Sequence, residues 1–420
     1  MKYSFSILLM IAFSLLCCER VSDIDFEKIE YVNYNHQLFE EDVKMGELIR
    51  QVSRDFETTP KQMLSEIGYD EQQSKKILDK VNLYVALAKD YTVHGVAYNT
   101  KDPHGKSTVA SGLIYYPKKR KPKGVIIIYP FFKTKGMSGT DVRYSVEGLL
   151  IGLGDYVCMI PDGIGLGISS NQPISIIQHE NLAETGADFY LAAKEFIYNQ
   201  YQYKLPNRIT LFGYSLGASG ALALDRYLTL HEELGIEVKD IFIGGGAYYP
   251  ELFIKDLFES CYSEYAVGPY VLWSLNYYEN LNLNFAQIFK GKLLEEFPEL
   301  CNGSRMIGEV TPYLGSDLNN YFNEDFLHNE ENQYRQLVME ALKRNSIPND
   351  WIPKGKVHLY NCFTDRYVNT TCGDTLYENL KEKGAEVEYF YQDVTHEQMI
   401  VHMVIDFYKH LYPDKAFDIF

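Results

Sequence analysis

Residues 208–224 read Arg-Ile-Thr-Leu-Phe-Gly-Tyr-Ser-Leu-Gly-Ala-Ser-Gly-Ala-Leu-Ala-Leu. An apolar, strand-like run leads into Gly-Tyr-Ser-Leu-Gly at 213–217, and small residues at helical spacing follow. A chain that reverses sharply between strand and helix holds its central serine in a strained conformation with an exposed hydroxyl. Glycine on either side leaves room for the turn. The stretch therefore predicts a nucleophile, Ser215. The alternative is a tight turn with an idle serine, and the strand before and helix after disfavour it.

Short β-rich runs lie on both sides of this motif from Tyr91 onward. The eight candidate strands are Thr92–Asn99, Thr108–Tyr116, Gly124–Tyr129, Tyr156–Ile160, Arg208–Phe212, Asp240–Gly244, Lys356–Asn361 and Glu386–Tyr391. Several are continuously apolar, which is typical of strands buried on both faces. Helical patterns at His179–Asn199 and Ala218–Leu230 alternate with the later strands, whereas the first strands have no helices between them. We therefore expect an α/β fold with an eight-stranded, mostly parallel sheet, antiparallel at its start, and helices on both faces.

The alternation stops between Ala247 and Asp350, where the sequence becomes helix-like and rich in aromatic residues. The segment is too long for a loop, so we expect a helical cap at 247–350, inserted into a core formed by 91–246 and 351–420. The aromatic side chains either form the core of the cap or line a pocket above the sheet. They include Tyr248, Tyr249, Phe253, Phe258, Tyr262, Tyr265, Tyr270, Trp273, Tyr277 and Tyr278. Residues 18–90 read as a polar N-terminal helical or linker region with no recognisable chemistry.

The first residues form a separate unit, with Met1-Lys2 followed by a short apolar run that ends at two cysteines. This pattern predicts a signal peptide over 1–17. Cys18, with Leu15 three residues before it, resembles the lipidated cysteine of bacterial lipoproteins, and Cys17 fits that pattern less well. We expect an exported protein of the cell envelope, anchored to a membrane by acyl chains on Cys18. The alternative is an ordinary cleaved signal and a secreted or periplasmic soluble protein.

Charge and cysteine usage restrict the partners of the chain. The formal net charge of −17 disfavours nucleic acid as a partner. Cys158 and Cys362 lie in apolar runs and are expected to be buried, whereas Cys261 and Cys301 could pair in an oxidising compartment. No Cys-x-x-Cys, His-Glu-x-x-His or phosphate-binding glycine motif occurs. We therefore expect no metal and no organic cofactor.

A serine nucleophile needs a histidine base and a carboxylate that orients it, in the chain order Ser, acid, His. His396 follows the last candidate strand and is the predicted base. His358 lies inside a strand, and the patterns around His402 and His410 place them in the final helix. Asp365, just after the preceding strand, is the predicted acid. The alternatives are Asp374 and Asp393, of which Asp393 is so close to His396 that a turn-capping role suits it better.

An oxyanion formed at the substrate needs two backbone N–H donors. The N–H of Leu216, at the start of the helix, is the first candidate. The second should come from the loop after Gly124–Tyr129, where Pro130 has no N–H and Phe131 is the predicted donor.

These features and several further motifs resemble the α/β-hydrolase superfamily, and within it the secretory-lipase-like and related esterases. Ala110-Ser-Gly-Leu-Ile-Tyr-Tyr-Pro117 is similar to the second-strand signature of that group, and Pro161-Asp-Gly-Ile-Gly-Leu-Gly-Ile-Ser169 to its Pro-Asp-x-x-Gly-x-Gly-x-Ser loop. Trp351-Ile-Pro353 and Asp365-x-x-Val368 also fit, and the match runs from about Tyr91 to Leu411. One departure is Tyr129-Pro130, where the family usually has His-Gly, so the oxyanion loop can differ in shape.

The resulting hypothesis is a serine hydrolase that cleaves a small carboxylic ester through an acyl-enzyme, with Ser215, Asp365 and His396 as its triad. A serine peptidase or aminoacyl-amide hydrolase on the same fold would use the same residues. A cell-surface binding protein that lost its activity is the third alternative, which the complete residue set disfavours.

Overall fold

The computed structural model describes residues 32–47, 64–65, 68–87, 90–118, 121–134 and 155–413. The predicted signal peptide at 1–17 and the candidate lipidation site Cys18 lie outside these residues. Within the described ranges, no helix combines the length and apolar character that crossing a bilayer requires.

The described residues form one sheet of nine strands. The strands are β1 Tyr34–Lys44, β2 Asp90–Lys101, β3 Ser107–Pro117, β4 Val125–Tyr129, β5 Val157–Pro161, β6 Arg208–Tyr214, β7 Glu237–Gly244, β8 Lys356–Cys362 and β9 Val387–Gln392. Their spatial order is β1-β2-β3-β5-β4-β6-β7-β8-β9. The pairs β1-β2, β2-β3 and β3-β5 are antiparallel. The other five pairs, from β5-β4 to β8-β9 in the spatial order, are parallel. The predicted mixed α/β sheet with an antiparallel start is confirmed.

The strand count corrects the prediction of eight strands, because β1 lies in the region that was expected to be helical. β1 pairs with β2 at the edge of the sheet, and the Tyr34 N–H donates to Glu195 Oε2 at 2.8 Å. An edge strand with an exposed face carries no continuous apolar run. The polar sequence of β1 therefore gives no strand signal. A helix does follow in the same region, α1 at Glu71–Leu87.

The central strands bury both faces, since alternate side chains enter two different cores. On β6, Leu211 packs with α2 (His179–Tyr201) and α3 (Leu216–Leu230), while Phe212 packs with α12 (His396–Leu411) on the other face. The sheet is therefore the middle layer between helices. Its parallel strands all point their carboxyl ends at one edge.

Between β7 and β8 the chain forms a helical insertion with a core of its own. Its helices are α4 Pro250–Ser260, α5 Val267–Tyr278, α6 Phe285–Ile288, α7 Gly291–Glu295, α8 Ile307–Leu314, α9 Glu324–His328 and α10 Gln333–Arg344; α11, Thr371–Glu382, lies between β8 and β9. Many aromatic side chains of the insertion, such as Phe258 and Tyr270, are buried in the core of the insertion. Phe132 and Leu216, which lie outside the insertion, pack against that core, which places the insertion beside the Ser215 turn.

The cysteines in the described ranges are free thiols. Cys158 and Cys362 are buried, as predicted. Cys261 and Cys301 are unpaired, so the disulfide that the sequence allowed is not formed.

Candidate active site

Ser215 is the single residue between β6 and α3, and its backbone has φ 56° and ψ −129°. A non-glycine residue at positive φ is strained, and such strain persists only where the surroundings impose it. The Ser215 N–H donates to the Gly244 carbonyl at 2.9 Å, which fixes the turn to the end of β7. Its hydroxyl makes no capping hydrogen bond to the helix. The side chain is therefore not engaged in holding the turn that presents it.

The two motif glycines are required by close backbone packing. A Cβ on Gly213 would lie 2.1 Å from the Gly217 carbonyl oxygen, and a Cβ on Gly217 would lie 2.3 Å from the Tyr129 carbonyl oxygen. Both separations are far below a van der Waals contact, so any side chain at either position would push helix and strands apart. The small residues of the motif thus bring the start of α3 against the end of β4.

Asp365 and His396 meet at the same edge of the sheet, after β8 and β9. Nδ1 of His396 lies 2.6 Å from Oδ2 of Asp365, and both side chains are buried. The other carboxylate oxygen accepts the backbone N–H groups of Tyr367 and Val368 at 2.8 and 2.9 Å. These bonds fix the carboxylate, which in turn fixes the imidazole with Nδ1 as donor and Nε2 free to accept a proton.

Two opposing effects set the basicity of the His396 ring. Burial lowers the pKa of His396, but the negative charge of Asp365 and its hydrogen bond outweigh burial, so that the net pKa lies above the ordinary value. Asp365 stabilises the imidazolium that forms when the ring takes a proton, and the raised pKa means that the ring is a better proton acceptor.

The imidazole lies against the turn that carries Ser215. The hydroxyl of Tyr214 donates to the His396 carbonyl at 2.6 Å, and the two rings have centroids 4.7 Å apart. Gly245, which directly follows the carbonyl that binds Ser215, has φ +56°, and a Cβ there would lie 2.7 Å from His396 Cε1. Sequence reasoning missed both Tyr214 and Gly245. The run of three glycines at 244–246 is the signal that could have indicated a close approach.

Of the two alternative acids, Asp374 binds other side chains and Asp393 is exposed. Asp374 is the acceptor of the Tyr389 hydroxyl and lies 3.4 Å from Asn361 Nδ2. His396 is the first residue of α12, and the Thr395 side chain caps that helix by accepting the Gln398 N–H. The Thr-x-x-Gln capping box explains this boundary. His358 lies in β8, and both His402 and His410 lie in α12, as predicted.

Leu216 and Phe131, the predicted oxyanion donors, line one narrow apolar cavity of about 40 Å³. Leu216 begins α3, and the first N–H groups of a helix lack partners within the helix. Other walls are formed by Phe132, Leu166, Ile174 and Ile176. A second cavity, of about 410 Å³, lies between α4 and the Asp365 loop and is more polar.

The Tyr129 side chain points away from the site. Its hydroxyl donates to the Leu182 carbonyl at 2.8 Å, and Gly186 and Gly220 provide the space for its ring. Tyr129, which stands where the family usually has His, therefore fills the space between α2 and α3 with its ring.

The loop at 161–169 is held by polar contacts of its own motif. The Ser111 hydroxyl donates to Asp162 Oδ2 at 2.6 Å, and a Cβ on Gly167 would lie 2.0 Å from that hydroxyl. Ser169 Oγ accepts the Gly165 N–H at 3.0 Å. These residues give the loop its shape, so their role is structural, and the loop forms one wall of the narrow cavity.

Replacement of Gly245 by alanine is expected to lower kcat/KM for an ester substrate about 10–100-fold, because the new methyl displaces the His396 ring. Positive φ adds roughly 1–2 kcal/mol of strain. The matched control is Gly384→Ala, because Gly384 has φ +75° and an added methyl there would meet no atom within 4 Å. Steady-state kinetics and thermal melting of both variants separate the effects: both should melt lower, and Gly245→Ala alone should lose activity. Equal activity of the two variants would contradict the placement of His396.

No protein-family model matches the sequence, and no curated protein matches it significantly. Solved structures do match. The rice cell wall degrading esterase LipA from Xanthomonas oryzae matches with a TM-score of 0.68 at 19% identity, over 78% of this chain and 93% of that chain. A Legionella pneumophila protein described as a hydrolase matches with a TM-score of 0.67 at 20% identity, over 82% and 96%. Candida antarctica lipase A in its closed state matches with a TM-score of 0.56 at 15% identity, over 81% and 80%. Taken with the strand order and the helices on both faces, these likenesses show that the chain has the α/β-hydrolase fold.

Proposed function

We propose that this protein is a serine hydrolase that cleaves carboxylic esters through an acyl-enzyme. The observation that carries the proposal is the 2.6 Å contact between Asp365 and His396, with the imidazole packed against the turn that holds Ser215. The structural neighbours support the ester as substrate class, since they include an esterase and a lipase. A fold alone does not define chemistry, so the proposal rests on the site residues.

In the proposed mechanism, Ser215 Oγ attacks the ester carbonyl while His396 Nε2 takes its proton. The backbone N–H groups of Leu216 and Phe131 stabilise the oxyanion. The tetrahedral intermediate collapses, the bond to the alcohol breaks, and the imidazolium returns its proton to that alcohol. Water, deprotonated by His396, then attacks the acyl-enzyme. The bond between the acyl carbon and Ser215 Oγ breaks, the imidazolium returns its proton to Oγ, and the acid leaves. Asp365 keeps the correct tautomer throughout.

The narrow apolar cavity beside Leu216 supports a short or slender acyl group as substrate. Its walls of Phe, Leu and Ile side chains favour hydrocarbon, and its small volume disfavours a bulky acyl part.

For the location of the protein we propose export to the cell envelope with Cys18 as the lipidated residue. The support is the sequence of residues 1–18 alone: a positive start, a short apolar run and the cysteine after it.

A substrate panel on the purified protein tests the proposed reaction. We expect turnover of p-nitrophenyl acetate and butyrate, weaker turnover of the long-chain palmitate ester, and negligible turnover of aminoacyl p-nitroanilides. The physical reason is that the apolar cavity accepts few methylene groups. Preferred cleavage of the anilides would assign a peptidase instead. Tight binding of esters without turnover would assign a binding protein, and either result overturns the proposal.

A further inference from the structure

Three side chains of types that can ligate metals meet on the sheet face that α12 covers. They are Asp240 on β7, His358 on β8 and His410 in the last turn of α12. One ligand atom from each lies within 4.8 Å of the others. Gly244, whose carbonyl binds the Ser215 N–H, lies at the carboxyl end of β7. Asp240 lies four residues before it, which is about 13 Å along the strand. The cluster is therefore separate from the Ser215 site.

The buried imidazole of His358 presents a lone pair without a partner. Its Nδ1 lies 3.1 Å from Glu388 Oε2, so that the N–H donates to this carboxylate. The other nitrogen, Nε2, is buried without a hydrogen-bond partner and lies 3.8 Å from Asp240 Oδ1. A basic nitrogen that faces a carboxylate oxygen at this distance is unfavourable unless a proton or a metal ion lies between them.

The spacing of the ligand atoms fits a tetrahedral ion. Ligands at 2.0–2.1 Å from tetrahedral zinc stand about 3.4 Å apart. His410 Nε2 lies 3.0 Å from Asp240 Oδ2, and His358 Nε2 lies 3.8 Å from the other oxygen, Oδ1. Both distances are close to this value, and the carboxylate has to turn so that one oxygen faces both rings. The hydrogen bond from His358 to Glu388 supplies the carboxylate–histidine partnership that orients metal ligands.

We propose that Asp240, His358 and His410 bind a divalent ion of the zinc class, with water as the fourth ligand. Two imidazoles and one carboxylate suit zinc rather than magnesium or calcium, which prefer oxygen ligands. The His410 side chain is about 30% exposed, which gives the ion an entry path. Lys239 Nζ lies 2.9 Å from Asp240 Oδ2 and is half-exposed, so it can turn into solvent when the ion binds. The ion would tie the end of α12 to the neighbouring strands β7 and β8, independently of the proposed hydrolysis.

Zinc titration of the purified, untagged, chelator-treated protein tests this site by isothermal calorimetry, with the metal content of the dialysed complex as a second readout. We expect one zinc per chain and a melting temperature higher by several degrees with zinc present. Magnesium and calcium should produce no shift. Ser215→Ala should bind zinc like the wild type, which separates this site from the hydrolase site.

Two substitutions and one control locate the ion. His410→Gln, at a partly exposed position, and Glu388→Gln, one shell outside the ion, should each weaken zinc binding at least about 10-fold. His402→Gln, in the same helix, should leave it unchanged. Absence of stoichiometric zinc in the wild type overturns the proposal and makes the cluster a proton-linked ion pair. Zinc that binds equally well to His410→Gln and Glu388→Gln also overturns it, because the ion then lies elsewhere, for example on free thiols.

Discussion

Ser215→Ala is expected to lower kcat/KM for p-nitrophenyl butyrate by about 10⁴–10⁶-fold, because the attacking oxygen is removed. The fold should survive the change. The Ser215 hydroxyl does not cap α3, and alanine meets the same backbone strain at φ 56° as serine does. Steady-state hydrolysis measures the loss, and circular dichroism and thermal melting measure the fold.

The matched control for this change is Ser219→Ala, one turn further along α3. Ser219 is fully buried and its hydroxyl has no hydrogen-bond partner, so its removal should affect neither activity nor melting strongly. Retained ester hydrolysis by Ser215→Ala, in a preparation free of other esterases, would disprove the role of this serine.

Asp365→Asn is expected to reduce kcat/KM by about 10³–10⁴-fold while the geometry of the site is preserved. An asparagine in this place can present its NH₂ group to His396 Nδ1. The ring then carries its proton on Nε2, so it cannot accept the proton of Ser215. The loop should stay in place, since the remaining amide oxygen can still accept the N–H groups of Tyr367 and Val368.

The pH profile distinguishes this effect from simple misfolding. The base must be neutral, so kcat/KM should rise with pH through the pKa of His396, which lies above its ordinary value of about 6.5. In Asp365→Asn the stabilising charge is gone, and the residual activity should rise at a lower pH than in the wild type. Asp374→Asn is the control, because Asp374 binds Tyr389 rather than His396. A wild-type midpoint below the ordinary histidine value would contradict the Asp365–His396 pairing, as would equal activity losses in the two variants.

The parts of the fold that could be predicted are those whose sequence pattern indicates that the segment is buried. Strands such as β4 and β6 are buried on both faces, and their continuous apolar runs indicate a parallel sheet. The glycines and the small residues of α3 indicate the tight turn at Ser215. The edge strand β1 could not be found this way, because its stability comes from pairing with β2 and not from its own pattern.

The positions of candidate site residues could be predicted where a residue directly follows a strand. His396 and Asp365 each follow a strand end, so the topology brings them to one edge of the sheet. The contacts that place the imidazole were not predictable, because Tyr214, Gly245 and His396 are brought together only by the folded chain. The cluster of Asp240, His358 and His410 could not be predicted either, because only the folded chain brings these strand and helix residues together.

Mapping of a fluorophosphonate adduct tests the central claim most directly, since the serine that attacks an ester also attacks the phosphorus and releases fluoride. Trypsin cleaves after Arg208 and Arg226, so Ser215 and Ser219 fall in one peptide, 209–226, and fragment spectra separate them. We predict one phosphonyl group per native chain, on Ser215, and none after denaturation or in His396→Ala. Labelling of another residue, or none in a natively folded protein, would contradict the account.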